Sequence, residues 1–194
     1  NSDGTKFGKS EGNAVWLDAS MTSPYAFYQF WLNTDDADVI DRIKVFTFLT
    51  RAEIEELAQQ VAEEPFKRAA QRRLALEVTS LVHGEAATEA AIAAAAALFG
   101  QGELAELDAA TLEAALRELP HTTTPANTPV AQLLVDTELS QSLGAARRSI
   151  AEGGVYLNNV KITAEDETLE KYVLPSGMAV LRRGKKTLAG VFVE

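Results

Sequence analysis

The sequence predicts a mainly α-helical domain followed by a small α+β module. Three observations carry that expectation. Helix start and stop signals punctuate residues 23–119. Residues 120–129 hold three prolines and no aliphatic residue larger than alanine. Short apolar runs separated by turn residues then fill residues 155–193.

Residues 1–22 read as loop, then turn. Ser23 as cap and Pro24 at the first helical position start a helix crowded with Tyr25, Phe27, Tyr28, Phe30, Trp31 and Leu32. Asp35-Asp36-Ala37-Asp38 offers caps for a helix carrying Val39, Ile40, Ile43, Val45 and Phe46. Thr50 caps the next, and Glu53 closes a capping box. Pro65 opens a long helix through His83, with Leu74, Val78, Leu81 and Val82 at helical spacing and Gly84 as its stop. His83, next to that glycine, reads as a helix-end interaction rather than a catalyst. Residues 85–99 are alanine-dominated, which favours helix. Gly100-Gln101-Gly102 breaks it, and a short helix follows over Ala109–Leu119.

Residues 120–129 are expected to be a linker. Thr128-Pro129 starts a short helix to about Val135, and Ser140 or Ser142 caps another that ends at Gly153-Gly154. Val155–Leu157 and Val160–Ile162 flank Asn158-Asn159, a pair that tolerates the positive φ of a tight hairpin. Met178–Arg183 and Thr187–Val193 predict a second hairpin.

Composition is that of a globular protein, 46% hydrophobic and 24% charged over 194 residues. No uncharged apolar stretch reaches the ~18 residues of a membrane span. Cysteine is absent, and His83 and His121 are far apart, so neither a thiolate site nor a histidine zinc site is expected. The opening Asn1-Ser2-Asp3-Gly4 has no initiator methionine and no signal pattern, and reads as the middle of a longer protein. These features fit a cytoplasmic protein. Net charge is −10, which disfavours indiscriminate nucleic-acid binding. All of it falls on residues 1–127, with 10 basic and 20 acidic side chains; residues 128–194 balance 8 against 8. An RNA partner would meet local basic patches.

Lys6-Phe7-Gly8-Lys9-Ser10 is a compact phosphate-gripping unit: two ammonium groups, a hydroxyl and a glycine that lets the backbone approach. It lacks the glycine-rich run of a P-loop. The stretch from Asp3 to Asp18, DGTKFGKSEGNAVWLD, resembles the signature loop of bacterial tyrosyl-tRNA synthetases, as does Ser23 to Trp31, SPYAFYQFW. The resemblance implies that the chain is the C-terminal portion of such an enzyme, with the Rossmann catalytic domain absent from it. Four segments follow: a signature loop and connection over 1–22, a helical anticodon-binding domain over 23–119, a Pro/Thr-rich linker over 120–129, and an S4-like RNA-binding domain over 130–194. The implied reaction activates tyrosine with ATP as tyrosyl-adenylate, then transfers it to tRNA(Tyr). Lys6, Lys9 and Ser10 would contact the ATP phosphates and act in catalysis. ATP is then a substrate, accompanied by Mg2+, and no metal is bound by the protein itself. The family also implies a homodimer, with L-tyrosine and ATP bound through the missing domain.

Lys67, Arg68, Arg72 and Arg73 cluster on residues 65–83, in a run similar to the family's anticodon-side helices. Arg68, Arg72 and Arg73 are therefore expected to contact tRNA. Ser142 to Asn159, SLGAARRSIAEGGVYLNN, resembles the S4-type RNA-binding motif. Leu143, Ala146 and Ile150 would face a core while Arg147 and Arg148 remain outside. Lys161, Arg182, Arg183, Lys185 and Lys186 would add phosphate donors, giving salt-dependent affinity. A noncatalytic S4-type RNA-binding module is the alternative reading, and a purely structural helical scaffold a third.

Overall fold

The computed structural model describes residues 15–185 and 187–194. The chain forms two compact units that divide between Ile92 and Ala93, and each is taken separately.

The first unit is helical. Helix α1 (Pro24–Leu32) starts as its residues dictate: the Ser23 hydroxyl accepts from the Ala26 amide at 3.1 Å, and Pro24 supplies a first turn that needs no amide donor. Asp35 is the cap residue of α2 (Asp36–Phe46), although its side chain makes no capping bond. Thr50 and Glu53 form the complete capping box of α3 (Arg51–Glu63). Two amides are satisfied, and the same bonds hold the Glu53 carboxyl below its ordinary range.

The long helix expected from Pro65 is interrupted. Pro65–Lys67 form one 3-10 turn, Arg68 adopts a left-handed φ of 49°, and α4 runs Ala69–His83. The Arg68 side chain explains the break. Its Nη2 donates to Leu32 O at 2.7 Å and Thr34 O at 3.1 Å, satisfying carbonyls at and just beyond the end of α1. Charge-assisted bonds of this kind contribute about 1.5–3 kcal/mol each, enough to offset the ~1–2 kcal/mol of a left-handed non-glycine residue.

Helices α1, α2 and α3 pack on α4. The core joins Tyr25, Phe27, Tyr28 and Trp31 to Val39, Ile43, Ala70, Leu74, Ala75 and Val78. Leu81, expected on the same stripe, is 61% exposed. His83 packs edge-on against Phe27, with ring centroids 4.8 Å apart. Gly84 ends α4 with φ 86°, and α5 follows over Glu85–Leu98.

In the second unit the sheet has strand order β1-β5-β4-β2-β3 among the described residues. Here β1 is His121–Thr124, β2 Val155–Leu157, β3 Val160–Lys161, β4 Met178–Arg183 and β5 Thr187–Val193. The expected hairpins are present: β2–β3 turns on Asn158 and Asn159 at φ 47° and 65°, and β4 pairs antiparallel with β5. The expected linker is different. Three consecutive threonines favour extended backbone, and residues 121–124 form β1, parallel to β5, between Pro120 and Pro125.

Helices α6 (Ala109–Arg117), α7 (Val130–Asp136) and α8 (Leu143–Ala151) complete the unit. Val130, Leu133, Leu134, Ala146 and Ile150 form one core with Val155, Leu157, Leu181, Ala189 and Val191. Alternation sends Tyr156, Arg182 and Gly190 to the opposite face. There α6 lies close on β5: a Cβ at Gly190 would sit 2.9 Å from both Leu116 Cβ and Leu116 O.

Candidate nucleic-acid interface

Helix α8 presents an exposed pair of cations, Arg147 and Arg148. The Ser142 hydroxyl accepts from the Ala145 amide at 3.3 Å and sets the start of the helix. Ala146 and Ile150 enter the core, while Leu143 stays 41% exposed, contrary to its expected inward position. It sits in the first turn, one turn before Ala146. Arg147 and Arg148 are exposed, and among the described residues neither has an ion-pair partner. Two unneutralised guanidinium groups on a helix with a fixed start can bind phosphate.

Gly153, at φ 71°, ends α8 and brings the chain into β2. The Lys161 ammonium lies directly over it, on the side where a Cβ would collide. A cation there complements the negative end of the α8 dipole. Across the strands, Lys161 pairs with Tyr156, and Tyr156 with Arg182. The Arg182 guanidinium stands 4.2 Å from the Tyr156 ring centroid. Tyr156 and Asn158 were not expected as functional residues; the alternation of Val155, Tyr156 and Leu157 was the signal available for the first. Asn158 is an organiser, since its Oδ1 accepts from the Val180 amide at 2.7 Å while Nδ2 donates to Tyr172 O.

The remaining cations divide. Arg183 donates through Nη1 to Leu139 O, so part of its donor set is engaged within the unit. Lys185 is exposed on the β4–β5 turn. In the first unit Arg72 is exposed, and its charge opposes the burial that raises the Tyr28 pKa. Arg73 is tied to Glu77 at 2.7 Å and Glu53 at 3.2 Å. Arg68, also expected to contact tRNA, donates through Nη2 to Leu32 O and Thr34 O within the unit. Lys6, Lys9, Ser10 and Lys186 lie outside the described residues.

Among the described residues, no cluster of three or more His, Asp or Glu side chains could hold a metal ion. No helix among them is long and apolar enough to cross a membrane.

Comparison with known proteins bears on both units. Residues 1–100 match the family model described as tRNA synthetases class I (W and Y). Residues 111–190 match the tyrosine–tRNA ligase SYY-like C-terminal domain. A tyrosine–tRNA ligase of Leifsonia xyli subsp. xyli is 68% identical over 100% of this chain and 44% of its own length. One from Streptomyces coelicolor is 58% identical over 97% of this chain and 45% of its own length. A third, from Corynebacterium efficiens, is 52% identical over 100% of this chain and 47% of its own length. The chain therefore spans about half the length of these relatives, at 44–47%. On the extent of the first match, the chain belongs to the class I tRNA synthetases (W and Y).

Proposed function

We propose that the chain serves as the C-terminal part of a tyrosine–tRNA ligase, supplying its tRNA-binding surfaces and its ATP-phosphate loop. The observation that carries this reading is the exposed, unpaired Arg147–Arg148 pair on α8, within a segment matched to the C-terminal domain of tyrosine–tRNA ligases. Helix and strands together are read as an S4-like module. Arg147 and Arg148 take tRNA phosphates, with Lys161, Arg182, Arg183, Lys185 and Lys186 extending the surface. Arg72 and Arg73 add contacts from the helical unit, and Arg68 holds the end of α1 beneath them.

The whole enzyme activates tyrosine with ATP to tyrosyl-adenylate and pyrophosphate, then passes the tyrosyl group to tRNA(Tyr). Lys6, Lys9 and Ser10 grip the ATP phosphates. Their contribution is greatest as charge builds on departing pyrophosphate, because a contact accelerates a step only where it strengthens in the transition state. ATP enters with Mg2+ as substrate. The enzyme works in the cytoplasm as a homodimer.

The test is made in the full-length ligase. Lys9→Ala depresses tyrosine-dependent ATP–pyrophosphate exchange by about 100-fold, the scale of one lost transition-state donor, and leaves tRNA(Tyr) binding within about twofold. Arg147→Ala with Arg148→Ala does the reverse. If both variants lose only RNA affinity, the loop has no catalytic role and the noncatalytic S4-type module becomes the better reading.

A further inference from the structure

Arg182 differs from Arg117 and Arg183, its fellow arginines beside the sheet. Arg117 also lies over an aromatic ring, Phe192 at 4.9 Å, but it is paired with Glu113 at 2.7 Å. Arg183 donates to Leu139 O. Arg182 has no ion-pair partner among the described residues, and its Nε is buried without a hydrogen bond. What holds it is the Tyr156 ring on the neighbouring strand. A half-buried cation without a counter-charge is costly to keep, and a ring quadrupole offsets only part of that cost. The pair lies towards the β2–β3 edge of a face whose β5 side is taken by α6, with exposed Lys161 beside it on β3.

We propose that Tyr156 positions the Arg182 guanidinium as a stacking plane for an unpaired RNA base, with Lys161 taking the adjoining phosphate. This rests on the RNA-binding reading of the module and adds to it the kind of nucleotide met at this edge. Arg182 remains part-exposed although its Nε is buried, and unpaired bases stack on guanidinium planes. Lysine in its place would keep the charge and lose the plane. Tyr156 is a positioning residue and Arg182 the contact.

The experiment measures binding of a tRNA(Tyr) transcript to the present chain over a range of salt concentrations, with thermal melts as a check on folding. Arg182→Lys weakens binding at least about fivefold, the lower end of one lost base stack, without changing the salt slope. Tyr156→Leu does the same, and Tyr156→Phe restores the affinity. If Arg182→Lys binds as tightly as the unaltered chain, Arg182 is a simple phosphate contact and the stacking role is overturned, whether or not Tyr156→Leu folds. If Tyr156→Phe is as weak as Tyr156→Leu, the hydroxyl and not the ring matters, and the proposal also falls. No salt-dependent binding by the unaltered chain would overturn the RNA-binding reading itself, an outcome distinct from the other two.

Discussion

At the scale of single residues, His83 shows how packing sets chemistry. Its ring is wedged edge-on against Phe27, and its Nε2 is buried without a partner. Burial disfavours the imidazolium and lowers the pKa from 6.5. The unfolded chain therefore takes up the proton first as pH falls. The stabilisation is present above about 6.5, the ordinary histidine value, and is lost as pH drops through the lower folded value. Urea unfolding should show the chain losing stability as pH falls below about 6.5, and His83→Phe should flatten that decline. Glu53 and Asp108, both held below their ordinary values by hydrogen bonds, act in a lower window. The residue scale also marks what the sequence could not say. The position of Arg68 on the chain suggested a partner outside; only the end of α1, more than thirty residues away, shows that its donors are needed inside. Arg147 and Arg148 were legible because their neighbours Ala146 and Ile150 set the helix face.

At the scale of elements, local chemistry decided most of the outcome. Caps at Ser23, Thr50 and Ser142 start their helices where those residue types require, and Asn158-Asn159 makes its hairpin. The elements that differed depend on distant partners. Residues 121–124 are a strand because β5 is there to pair with them, and the prolines that suggested a linker bound that strand instead. Gly190 is the contact on which this arrangement turns. It pairs with His121 and leaves room for Leu116, so α6, β1 and β5 meet at one hydrogen atom. Gly190→Ala places a methyl against the Leu116 backbone oxygen, which cannot swing aside. Urea denaturation should show a loss of about 1–3 kcal/mol, the range for overpacking.

At the scale of the whole molecule, charge governs which partners are held. The net −10 lies on residues 1–127, while the remainder is balanced. An acidic surface repels RNA except where unpaired cations gather, which favours a docked partner over scattered contacts. Arg147 and Arg148 are exposed and have no ion-pair partner among the described residues, so they should carry a measurable share of counterion release. Affinity of this chain for a tRNA(Tyr) transcript, plotted as log K against log salt, reads that share directly. Arg147→Ala with Arg148→Ala should weaken binding and make the slope shallower by about 1.5, the release expected from two phosphate contacts, with the melting temperature unchanged. An unchanged slope in the folded double variant would contradict the assignment of α8 to the RNA surface.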